Sequence, residues 1–169
     1  MQTRDVLADA FGRIRQIVER AVEGLDGESL AFRPEADANP IGWLVWHLTR
    51  IQDDHVAEIA GREQAWTADG WAARFGMRAD PNDTGFGHST DQVAAVRPDG
   101  PAVLLGYHHA VADRTIGYLT GIDAAELDRI IDVSYDPPVS VGVRLVSVIS
   151  DDLQHAGQAR YVRGILDRR

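Results

Sequence analysis

Asn39-Pro40-Ile41-Gly42-Trp43-Leu44-Val45-Trp46-His47-Leu48-Thr49-Arg50-Ile51-Gln52-Asp53-Asp54-His55 is the stretch on which the fold turns. Asn39-Pro40 is a strong helix start, because proline suits the first helical turn, where its missing N–H costs nothing. Leu44, Leu48, Ile51, Val56 and Ile59 then form an apolar arc at helical spacing. A helix is therefore expected from about Pro40 to Ala60, stopping at Gly61.

Working outward, Thr3 or Asp5 can cap a first helix reaching about Val22, with Val6, Leu7, Phe11, Ile14, Ile17 and Val18 on one face. Gly24-Leu25-Asp26-Gly27 ends it, and Glu28 to Asn39 connects it to the helix above. A third helix is expected from Pro101 to Leu119 and a fourth from Ser140 to Leu166. Residues 62–100 form a long irregular crossing that carries Trp66, Trp71, Phe75 and Phe86, with a short helix after Ser89-Thr90-Asp91. A loop of that length packs on something or lines a site. The second crossing contains one helical turn near Ala124–Leu127 and an extended piece at Ile130–Val133. The expectation is an all-α fold, a four-helix bundle with long crossover loops, forming a single domain over residues 1–169.

Composition narrows the chemistry. The 169 residues are 44% hydrophobic and 25% charged, ordinary values for a globular domain with a real core. There is no cysteine, so disulfides, thiolate metal sites and cysteine nucleophiles are all excluded; a metal here must take nitrogen and oxygen ligands. All 17 basic residues are arginine, which excludes a Schiff-base lysine. The net charge is −9 and no basic run appears beyond Arg168-Arg169, so neither nucleic acid nor an anionic membrane is an expected partner. The amino terminus lacks a secretory pattern and no stretch is apolar for long enough to span a bilayer, which leads us to expect a cytoplasmic protein.

The last expected helix contains Asp151-Asp152-Leu153-Gln154-His155-Ala156-Gly157-Gln158. His155 shares a helical stripe with Val148, Ala159, Val162 and Leu166 and is expected to face the bundle interior. Asp151 lies one turn earlier, so carboxylate and imidazole can converge on one point. Bundle cores build metal sites from facing helices in this way. The plain alternative is a hydrogen-bonded core histidine with Asp151 and Asp152 as a solvated edge, and spacing leaves both open. On the second helix, His47 falls at the edge of the apolar arc and His55 nearer its centre. Periodicity does not choose between them.

These residues resemble the DinB-like superfamily, which includes the mycothiol-dependent maleylpyruvate isomerases and related thiol transferases. The resemblance rests on Asn39 to Leu48 together with His155-Ala156-Gly157-Gln158 on the final helix, and it extends over nearly the whole chain. It implies a divalent ion, Zn, Ni, Fe or Mn, held by His47, Asp151 and His155. Aspartate at position 151 stands where glutamate or histidine is more common. The further carboxy-terminal domain of maleylpyruvate isomerases is not expected here.

The resemblance further implies a transferase that activates a low-molecular-weight thiol of the mycothiol type toward an electrophilic substrate, and a homodimer. Two other functions stay open: a metal-dependent hydrolase with Asp54 or Asp151 as base, and a non-enzymatic, stress-associated metal-binding protein. Asp54, on the His47 side of its helix, is the candidate catalytic base. Of the remaining residues, His55 is a candidate fourth ligand and Gln158 a neighbour of the site. Tyr107 and His108 are candidate pocket walls, Arg160 and Arg163 candidate anion contacts, and Trp43 and Trp46 expected core.

Overall fold

The computed structural model describes residues 2–169. Helix α1 spans Thr3–Val22 and is followed by a single turn, α2, Gly27–Leu30. The central helix α3 covers Ile41–Ile59, with Pro40 one position earlier than expected, as its extended N-cap. The crossing that follows holds three short helices, α4 (Ala65–Ala68), α5 (Trp71–Arg74) and α6 (Thr90–Ala95). Only α6 was expected, after Ser89-Thr90-Asp91, and the structure shows Ser89 forming a capping box there with Gln92. Helix α7 runs Pro101–Gly121 and α8 Ala124–Asp128. The expected extended piece is β1, Ile130–Asp132, paired antiparallel with β2, Val139–Ser140. The last helix, α9, is Val141–Leu166, capped by the Ser140 side chain on Val143 N.

Four long helices form a ring in which α3 packs on α9 and α7, and α1 packs on the same two helices. Their directions follow from contacts between them. His55 meets Arg144 while the His47 ring meets His155, so α3 and α9 are antiparallel. Arg15 bonds Asp113 and His109 bonds Glu19, so α1 and α7 are antiparallel. Thr49 reaches His108 and Gln52 reaches Thr115, which makes the neighbours α3 and α7 parallel. Parallel neighbours need a connection that travels back the full helix length. That is why residues 60–100 form a long crossing and not a turn.

Burial explains why α3 is central. Every residue from Ile41 to Arg50 is buried, because α3 is covered by two long helices and by the crossing. Arg50 has no exposed surface and ties that crossing down. Its guanidinium donates to the carbonyls of Pro81 and Asp83, to Gln64 and to the Tyr107 hydroxyl. Asp53 accepts from the backbone of Ala65 and Trp66, the start of α4, and from Tyr107. Such a buried set stands only when each member is hydrogen-bonded. Among the described residues, no helix is long and apolar enough to cross a membrane.

Candidate metal centre

His47 and His155 come from facing turns of α3 and α9, with ring centroids 4.7 Å apart and the rings nearly perpendicular. With Asp151 they place one potential ligand atom each within 4.8 Å of one another. A tetrahedral ion with bonds of ~2.1 Å needs its donors roughly 3.4 Å apart, so small side-chain movements complete such a set.

The orientation of each imidazole is decided by its second nitrogen. His47 Nδ1 donates to the Thr84 carbonyl at 2.6 Å, leaving Nε2 as the free nitrogen. His155 Nδ1 bonds Gln158 Oε1 at 2.8 Å, and its Nε2 faces Asp151 Oδ1 at 3.6 Å, an ion-pair distance and too long for a hydrogen bond. Metal-binding histidines are oriented by this kind of partner. Asp151 Oδ2 is buried and has no hydrogen-bond partner among the described residues. A buried carboxylate oxygen without a partner and two imidazoles with free Nε2 fit a divalent cation.

Electrostatics agree with that fit. Burial lowers the pKa of His47, an effect its bond to Thr84 offsets only in part. Burial works to raise the carboxyl of Asp151, yet His155, His47 and His55 together hold it below its usual range. Asp151 in turn raises the pKa of His155, against burial and with help from Gln158. The carboxylate thus already draws positive charge from the imidazoles around it, and a divalent cation held among the three would take the place of those protons.

Around this core stands a support that sequence reasoning did not single out. The Trp43 ring stacks on His47 at 4.6 Å and meets His155 edge-on at 6.3 Å. Its indole N–H donates to His88 Nδ1, and His88 Nε2 donates to Asp83. Trp43, expected as core, is thus also one face of the centre. Gly85 sits against it with φ +89°; a Cβ there would lie 2.8 Å from Trp46 and 3.0 Å from His47 Nδ1. The Gly85-Phe86-Gly87 run was visible in the sequence, but a contact made by the absence of a side chain leaves no positive signal.

Several expectations change. His47, expected at the edge of its arc, is 5% exposed and lies in the packed interior; His55, expected nearer the centre, is half-buried and bonded to Arg144. The cover on α3 comes from the crossing as well as from helices, so its buried face is wider than the arc. His155 lies at the margin of the interior, because the buried stripe of α9 runs through Val148, Asp152, Ala156 and Ala159. Asp152, read as a solvated edge under the plain alternative, is fully buried, and neither of its oxygens has a hydrogen-bond partner among the described residues.

Asp54 is not among the clustered ligand atoms. It accepts from Gln64, lies 3.8 Å from His55 Nδ1, and lines a separate cleft of about 300 Å³ with Glu58, Arg62 and Glu63. Tyr107 and His108 are buried core rather than pocket wall. Arg160 and Arg163 bond the last carbonyls of α1, at Arg20 and Glu23, as cations at a helix C-terminus do.

The chain is similar over its full length to a solved structure titled as the conserved protein of locus from Enterococcus faecalis. Identity is 25%, the TM-score is 0.92, and the match covers 100% of this chain and 99% of that one. No curated protein matches the sequence. The family profile described as the DinB superfamily matches residues 10–159, the span that holds α3, the crossing and the ligand-bearing turn of α9, and the chain belongs to that superfamily.

Proposed function

We propose that His47, Asp151 and His155 hold a divalent cation (Zn, Ni, Fe or Mn) and that the protein is a metal-dependent transferase of a low-molecular-weight thiol of the mycothiol type. The observation that carries the metal reading is the pairing of two outward hydrogen bonds, His47 to Thr84 and His155 to Gln158, with an Asp151 carboxylate whose buried Oδ2 has no hydrogen-bond partner among the described residues and which has a potential ligand atom within 4.8 Å of one on each imidazole. A bound divalent ion supplies positive charge that lowers the pKa of a thiol, so that thiolate is available at neutral pH. The chain's own part is to present both Nε2 atoms, to hold the ring planes through Trp43, and to keep the site partly dry. With no cysteine in the protein, the sulfur has to come from a small molecule.

A metal-dependent hydrolase is the second reading. It draws on Asp54, whose carboxyl is pushed above its usual range by burial and which we propose as base. Asp54 accepts from Gln64 and lies 3.8 Å from His55 Nδ1, one helical turn and more beyond His47 on α3. We further propose a homodimer. Val143, Val146 and Leu153 are 52%, 59% and 42% exposed along the outer face of α9, where a second copy would cover them.

Elemental analysis of the purified protein, followed by conjugation assays with and without added thiol, tests the function. Stoichiometric metal with thiol-dependent turnover of an electrophile supports the transferase. Turnover of an ester or amide without thiol supports the hydrolase. Metal-free protein that takes up none of the four ions sinks both.

A further inference from the structure

The seam between α3 and α9 continues past the histidines. The helices are antiparallel, so Leu44, one turn before His47, lies level with Gln158, one turn after His155. Both line one cavity of about 360 Å³, within the range of small-molecule sites. Val162 and Ile165 extend its α9 wall, and Pro34 and Ala38 of the connection before α3 close it from the other side. Tyr161, 70% exposed, offers a ring face at its mouth. Among the described residues that line it, Glu35 is the only charged one. The cleft beside Asp54 has the opposite character, with Asp54, Glu58, Arg62 and Glu63 all facing it.

Gln158 belongs to both the cavity and the centre, since its Oε1 holds His155 Nδ1. The cavity is therefore separated from the histidine pair by about one helical turn, ~5 Å. We propose that it receives the uncharged, apolar body of a molecule whose head group lies at the His47–Asp151–His155 centre. A single aromatic ring or a short branched chain suits its size, and a carboxylate on that body would meet Glu35. This inference rests on the metal reading of the centre.

The test uses cobalt(II)-loaded protein, with the thiolate-to-cobalt absorption band as readout. Three probes are titrated: 2-phenylethanethiol, 2-mercaptoethanol, and 2-phenylethanethiol bearing a para carboxylate. The apolar thiol is expected to bind roughly tenfold or more tighter than 2-mercaptoethanol, because its ring leaves water. The carboxylated probe loses most of that advantage. In Ala38→Phe, which fills the cavity, and in Tyr161→Ala, which removes an exposed wall without touching the core, the ratio falls to about threefold or less. A ratio unchanged in both variants, or absent in the unaltered protein, overturns the cavity assignment while leaving the metal reading intact. Failure to take up cobalt together with zinc, nickel, iron and manganese overturns the metal reading itself, and the cavity assignment with it.

Discussion

The imidazole of His47 donates its Nδ1 hydrogen to the carbonyl oxygen of Thr84, 37 positions along the chain, at 2.6 Å. One backbone carbonyl in the crossing therefore sets which nitrogen a histidine on α3 turns toward α9. Gln158 does the same for His155 from within α9, one turn away. The two supports differ in what maintains them: the first depends on tertiary structure and the second on helical geometry alone.

Replacing Gln158 by Leu should therefore weaken metal binding without unfolding the chain, since Gln158 is exposed. The expected loss is about 10–100-fold in affinity, the usual effect of removing such a partner. His47→Ala and His155→Ala should lose the metal altogether. Competition against a chelator of known affinity measures all three. Gln158→Leu protein that binds as tightly as the unaltered chain would refute the orienting role.

Gly85→Ala tests the other support. The backbone there is left-handed, and the added methyl would press on Trp46 and on His47 Nδ1. A stability loss of about 2 kcal/mol or more is expected from strain and displacement together. Metal affinity should fall with it, because the crossing has to move away from His47. Urea unfolding and metal titration on the same variant decide the matter. Gly87→Ala is the control for backbone strain: φ there is +75° and a Cβ meets nothing within 4 Å.

Arg50→Met removes a buried guanidinium that bonds two crossing carbonyls, Gln64 and Tyr107, and leaves Asp53 without its nearby cation at 3.6 Å. Breaking such a network by deleting one partner typically costs about 3–5 kcal/mol. The segment from Pro81 to Thr84 should also show faster amide exchange than in the unaltered protein. Unchanged exchange there, with lowered global stability, would mean that Arg50 supports the core but not the crossing.

Two interior groups shape the dependence of stability on pH, with opposite signs. Burial brings the pKa of His108 down to about 3, so the unfolded chain takes up a proton from about pH 6.5 downward and the folded chain does not. This term is fully present above pH 6.5 and is lost as pH falls. Burial pushes Asp152 well above its ordinary range, with Asp151 adding to the effect. Its term is present below about pH 4 and is lost as pH rises. Between roughly pH 4.5 and 6.5 the two oppose, and the chelator-treated protein should show a shallow profile. Asp152→Asn should uncover the histidine slope, up to about 1.4 kcal/mol per pH unit. Urea unfolding at three pH values in that window checks it, and parallel profiles for the two proteins would count against this account.

Much of the fold could be read from residues that act locally. Pro40, Ser140 and the Ser89–Gln92 box mark helix starts through hydrogen bonds or dihedrals that need no partner from elsewhere in the chain. Asp151 and His155 were legible as a pair for the same reason, since a helix places i and i+4 side by side whatever surrounds it. The short helices α4 and α5 were not legible. The α4 turn is held by Asp53 and by packing on α7, and α5 by Trp71 against Tyr107 of α7, which no local signal carries.

The sequence by itself determined four long helices, a cysteine-free donor set, and an acid and an imidazole one turn apart near the end of the chain. Periodicity left His47 and His55 open and only the family resemblance pointed to His47; the tertiary structure turns His47 toward the pair, encloses Asp152, and closes Thr84, Gly85 and His88 around them. Periodicity orients a side chain relative to its own helix axis. Which neighbour covers that direction depends on how the crossing returns over α3, and that is settled by packing among residues far apart in the chain.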